Sequence, residues 1–104
     1  MAKISHQSGA EAREAAESIA AQALAFLAQD PQRFARFLAL TGLDLEDVRA
    51  RAGSPELLSA VLEHLTGDES LLLVFAAETE VAPETIGPAL AVLQGAAGWE
   101  PGSD

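Results

Sequence analysis

Glu63, His64, Asp68 and Glu69 fall within one seven-residue stretch, a grouping from which a carboxylate-rich divalent-cation site can be drawn. The commoner fate of a single imidazole beside acids is a partly exposed place on a helix. The only other histidine, His6, is remote in sequence, and neither a His-x-x-x-His nor a His-Glu-x-x-His spacing occurs. No metal ligand is therefore expected. Serines are plentiful, but Ser5, Ser8, Ser18, Ser54, Ser59, Ser70 and Ser103 fall at helix starts, exposed positions or ends, and none sits in a Gly-x-Ser-x-Gly elbow. There is no cysteine to serve as nucleophile or thiolate ligand, no tyrosine for proton transfer, and no glycine-rich phosphate loop. Adjacent carboxylates need a cleft of mixed polarity to acquire useful pKa values, and so short a chain has little material to wall one. The expectation is a protein with no catalytic residues and no cofactor.

Two features point to binding instead. Arg33, Arg36, Arg49 and Arg51 bracket the turn at Gly42. Arg33 and Arg36 are three residues apart and share a helix face, so the four guanidinium groups could form a site for an acidic partner if the flanking helices fold back on each other. The competing account is intramolecular: Asp30, Asp44, Glu46 and Asp47 bring the same segment to zero net charge. Trp99, the single tryptophan, is either a staple over one end of the fold or an exposed anchor of the kind enriched at interfaces.

Charge narrows the partner class. Sixteen acids against six bases give a net charge of −10, which argues against nucleic acid and anionic membranes. The distribution is uneven: all six bases lie in residues 1–54, and residues 55–104 carry nine acids and no Lys or Arg. A basic protein facing the C-terminal half is the partner that this asymmetry favours. Residues 71–75 form the longest run of large apolar side chains, far short of the ~20 needed to span a bilayer. The N-terminal stretch lacks the apolar core of a secretory signal, so a soluble cytoplasmic protein is expected.

The elements that must position these residues are helical. Ser8 stands three before Glu11, the spacing of a capping box, and Ile19, Ala23, Phe26 and Leu27 recur at helical steps to about Gln29. Asp30-Pro31 starts a second helix that turns Phe34, Phe37 and Leu38 inward and stops at Gly42. Asp44 caps a short third helix carrying Val48. Ser54-Pro55 starts a fourth, with Leu57, Leu58, Val61, Leu62 and Leu65 on one wide stripe. Asp68 caps a fifth through Thr79. Its Leu71–Phe75 run leaves no polar side on that turn, so this helix is expected at the centre. A sixth helix lies within 83–95, with Ile86, Leu90 and Leu93 inward and a split at Gly87-Pro88. The result is an all-α single domain over 1–104, a compact bundle of five or six short helices crossing obliquely or near-orthogonally, with 1–9 and 97–104 irregular.

A shift of 38 residues aligns Asp30 with Asp68, Phe37 with Phe75, Ala39 with Ala77, Thr41 with Thr79 and Glu46 with Glu84. Shared capping and burial rules would produce this, and so would a duplicated helical hairpin. The segment QALAFLAQDPQRFARFLALTGLDLEDVR, followed by LLSAVLEHLTGDESLLLVFAAE, resembles a family of short bacterial proteins known only as a domain of unknown function. That likeness covers roughly residues 20–80 and rests on Phe26-Leu27…Asp30-Pro31, on Thr41-Gly42-Leu43 and on Leu71–Phe75. It implies a compact all-helical fold and supplies no site residue. The functional expectation is a small interaction or adaptor module, self-association included. The alternative is a carrier holding a small apolar ligand between helices around Leu71–Phe75, which requires a cavity of roughly 300 Å³ or more.

Overall fold

The computed structural model describes the backbone of residues 3–96 and the side chains of residues 9–95. Six α-helices and one 3₁₀ turn follow in order: α1 (Lys3–Ala28), α2 (Pro31–Thr41), α3 (Leu45–Ala50), α4 (Pro55–Thr66), α5 (Glu69–Thr79), the 3₁₀ turn Pro83–Thr85, and α6 (Ile86–Ala96). The all-helical expectation holds, and no strand occurs among the described residues.

Side-chain caps set most of these boundaries. Asp30 Oδ1 accepts from the backbone N–H groups of Gln32 (2.9 Å) and Arg33 (3.3 Å), two donors that the first turn of α2 leaves unpaired. Asp44 and Asp47 make a reciprocal capping box at α3, with distances of 2.8 and 3.0 Å. Ser54 and Asp68 cap α4 and α5 through the N–H groups of Leu57 and Leu71. Each such cap is worth about 1 kcal/mol. The N-terminus departs from expectation. Helix α1 begins at Lys3, so Ser8 lies inside it and residues 3–9 are helical. The alanine-rich sequence that follows is a strong helix former, and a helix already running has no use for a cap at Ser8. The start of α6 also differs. There is no split at Gly87-Pro88, because the 3₁₀ turn leads directly into Ile86 and places Pro88 in the first helical turn, where a missing N–H costs little.

Helices α1, α4 and α6 pack mutually and form the centre. Helix α1 contributes Ala16, Ala20 and Ala23, all buried, and the small side chains let its neighbours approach closely. Phe26 and Leu27 complete that face. Every member of the α4 stripe is buried, as its spacing requires, at about 1.5–3 kcal/mol for each large side chain. Helix α6 adds Ile86, Ala89 and Leu93, and α3 adds Val48. Helix α2 leans on α1 and α4 through the fully buried Phe37.

Helix α5 is not central. It lies at the side of α4 and buries only Phe75, while Leu73 and Val74 are 51 % and 38 % exposed. Five consecutive residues sweep the whole circumference of a helix at 100° each, so no helix packed on one side can cover them all. The centre is already occupied by the α4 stripe.

Candidate groove between α2 and the α4–α5 junction

His64 stands in the last turn of α4, one turn before the break at Gly67-Asp68. Its ring meets Phe37 of α2 edge to face, with centroids 5.3 Å apart. The Nε2 atom is buried and has no hydrogen-bond partner. Burial lowers the His64 pKa from its ordinary 6.5; Asp68 acts to raise it and Arg36 to lower it further. A neutral imidazole at neutral pH follows.

An open groove of about 470 Å³ runs over this histidine, lined by Arg36 and Leu40 from α2, Glu63, His64 and Gly67 from the end of α4, and Asp68, Glu69 and Ser70 from the start of α5. Sequence spacing brings Glu63, His64, Asp68 and Glu69 together, and the fold keeps them together. No group of three His, Cys, Asp or Glu side chains within metal-holding distance occurs among the described residues. Two of the carboxylates have structural partners. Glu63 accepts a hydrogen bond from Gln94 Nε2 of α6 (3.0 Å), and Asp68 caps α5. The groove therefore carries three carboxylates against one guanidinium and a neutral imidazole.

The four arginines are not gathered into one site. Arg33 lies over the Phe26 ring, 4.5 Å from its centroid, and its Nε is 3.7 Å from Asp30 Oδ2. Arg36 lines the groove just described. Arg51 lines a different hollow of about 150 Å³, with Thr41, Leu43, Glu56, Leu57 and Ala60. Arg49 is exposed on α3. The reason is geometric: α3 does not fold back along α2, so the second pair of arginines faces other neighbours. Arg33–Asp30 is the one ion pair among the described residues, so the intramolecular account applies to Arg33. Trp99 lies outside the described residues.

The exposed leucines escaped the sequence reading. Leu40 is 64 % exposed and forms part of the α2 wall. Leu73 follows Ser70 and Glu69 by three and four residues, which places it on the same side of α5 as the groove wall. Leu40 does fall outside the Phe34/Phe37/Leu38 inward set, and that was the available signal. The meeting of Arg36 with His64, across 28 residues of chain, leaves no local signature.

The family whose description reads "Protein of unknown function (DUF3572)" matches residues 13–96, and the chain belongs to that family. No curated protein and no solved structure matches the chain.

Proposed function

We propose that this member of the DUF3572 family is a non-catalytic protein-interaction module, and that the groove between α2 and the α4–α5 junction is its docking surface. The observation that carries the reading is the coincidence of two features at one place. An acidic hollow of about 470 Å³ is bordered by a leucine that is 64 % exposed. Scattered exposed leucines are ordinary on small proteins, but one on the wall of a hollow beside uncovered charge is the arrangement of an interface rim and anchor. The excess of acids in the C-terminal half supports a basic partner, since opposite charge speeds and orients encounter.

Catalysis has less support in the same groove. Two of its three carboxylates have structural partners, Asp68 as a helix cap and Glu63 as acceptor from Gln94, and its histidine buries Nε2 instead of presenting it to a substrate. An apolar-ligand carrier is also less well supported. Leu73 and Val74 face solvent instead of walling an internal space, and residues 71–75 line none of the described hollows.

A photo-crosslinking side chain placed at Leu40 in the native host tests the reading, with the exposed α1 position Ala21 as control. The expected result is one saturable protein adduct from position 40, lost when Glu69→Lys is added. Equal, diffuse labelling from both positions would remove the groove as the docking surface.

A further inference from the structure

We infer that the occupant of this groove is a short amphipathic helix of another protein, with an apolar stripe flanked on one side by Lys or Arg. The inference rests on the docking reading above and specifies the partner. Three observations lead to it.

First, the walls are helices whose backbone groups are paired internally, and no strand occurs among the described residues. An extended peptide would find no sheet edge with which to pair. A helical occupant satisfies its own backbone and needs only side-chain contacts. The lining is about one turn each of α2 (Arg36, Leu40), the end of α4 (Glu63, His64) and the start of α5 (Glu69, Ser70), so a short helix is long enough to cover it.

Second, the apolar and charged groups are separated. Leu40 stands on the α2 wall and Leu73 on the same side of α5 as Glu69 and Ser70, both uncovered. Leu40 is the apolar contact on the lining itself, and Leu73 extends uncovered apolar surface one turn further along α5. A ligand that is basic throughout would leave them wet.

Third, the charge is asymmetric across the groove. Glu63, Asp68 and Glu69 stand at the α4–α5 junction, whereas Arg36 stands on α2 beside Leu40. A cation on the partner is favoured toward the first wall and repelled by the second. The fit is therefore a helix with basic residues on one flank and neutral or acidic residues on the other, which also fixes its orientation.

The test uses the full chain, isotopically labelled for amide NMR and titrated with three capped peptides of about 14 residues. One places Leu at three- and four-residue steps with Lys on one flank. The second has the same composition in scrambled order. The third keeps the leucine spacing and replaces Lys by Glu. The expected result is that the first peptide alone shifts Arg36, Leu40, Gly67, Asp68, Glu69 and Ser70. The paired variant Glu63→Gln/Glu69→Gln should weaken that binding about tenfold, and Leu40→Ser should weaken it with an unchanged circular-dichroism spectrum. Arg36→Gln should strengthen it, an effect that no merely structural role predicts.

Equal binding of the scrambled peptide would overturn the helical occupant. Preference for the Glu peptide at the same residues would overturn its charge and leave the groove as a docking surface. Shifts of these residues with protein concentration alone would assign the groove to a second copy of this chain, again overturning the inference. If no peptide and no increase in concentration perturbs the groove, the docking reading falls with it.

Discussion

The His64 ring meets the Phe37 ring at an interplanar angle of 75° and a centroid distance of 5.3 Å, so the end of α4 is locked to the middle of α2 through an aromatic contact that includes a titratable group. Phe37 itself is fully buried, whereas His64 is half-buried with the groove on its open side. Protonation of His64 would place a charge, and a second N–H donor, where Nε2 has no partner.

A pH dependence of stability follows from that contact. Burial lowers the folded-state pKa of His64 below 6.5, with Asp68 opposing and Arg36 reinforcing the shift, and with Glu63 and Glu69 lining the same groove. In the window just below 6.5 the unfolded chain binds more protons at this site than the folded one. The contribution is therefore fully present above 6.5 and is lost as pH falls through the lowered value. Thermal unfolding of the wild type and His64→Gln should be compared from about pH 8 to about pH 5. The wild type should lose more of its Tm across this range than the variant. A gap between the two that stays constant with pH would show that His64 does not titrate differently on folding.

The 38-residue correspondence extends from residue identities to hydrogen bonds. Thr41 Oγ1 donates to the Phe37 carbonyl at 2.8 Å and accepts from the Leu43 N–H at 3.3 Å. Thr79 Oγ1 donates to the Phe75 carbonyl at 2.7 Å and accepts from the Val81 N–H at 3.4 Å. Both helices then end on a left-handed residue, Gly42 with φ 78° and Glu80 with φ 63°. The equivalent caps differ in cost, because a side chain in this conformation is penalised by roughly 1 kcal/mol or more and glycine is not. Gly42→Ala should destabilise the protein by about 1 kcal/mol through local backbone strain alone, since a Cβ there would meet no atom beyond its chain neighbours within 4 Å. Glu80→Gly should stabilise it by about 0.5–1 kcal/mol. Urea denaturation of both variants checks the opposite signs; a loss at Glu80 would mean that its side chain has a stabilising contact.

Arg33 and Arg36 are three residues apart on α2 but have different surroundings, and reversing each to Glu separates a structural from a binding role. Arg33 lies over Phe26 and beside Asp30, so Arg33→Glu should cost about 1 kcal/mol, combining a partly exposed cation–π contact and a screened ion pair. Arg36 is exposed on the groove wall, and its reversal should change stability by less than about 0.5 kcal/mol. A large loss at Arg36 would assign it to holding α2 against the α4–α5 junction instead of facing a partner.

Local signals carried most of the fold. Asp30-Pro31, Asp44, Ser54-Pro55 and Asp68 each cap a helix where the chain needs one, and the α4 leucines are buried at the spacing that marked them. The ranking of helices was not legible. An alternating apolar stripe states which side is buried, but a run such as Leu71–Phe75 states only that no side is polar, and two helices competing for the centre are decided by packing. The candidate site divides in the same way. Glu63, His64, Asp68 and Glu69 are neighbours in sequence and could be read as a group, whereas Arg36 joins them only because Phe37 packs on His64.

Helix α5 supplies the sharpest contrast between apolar character and structural need. Phe75 is fully buried and meets Phe26 edge-on, with centroids 5.4 Å apart, whereas Leu73, two residues earlier in the same run, is 51 % exposed. Hydropathy alone ranks the two alike. Truncating Phe75 to Ala removes a large volume from a closed core and leaves a cavity, so a loss of about 3–5 kcal/mol is expected. That is a large part of the stability of a domain this small. Leu73→Lys removes little burial and keeps a good helix former, so its cost should stay below about 0.5 kcal/mol. Chemical denaturation of the two variants beside the wild type measures the difference directly. Comparable losses at both positions would mean that α5 is covered at Leu73 in solution, and the region around Leu73 would then be the place to look for what covers it.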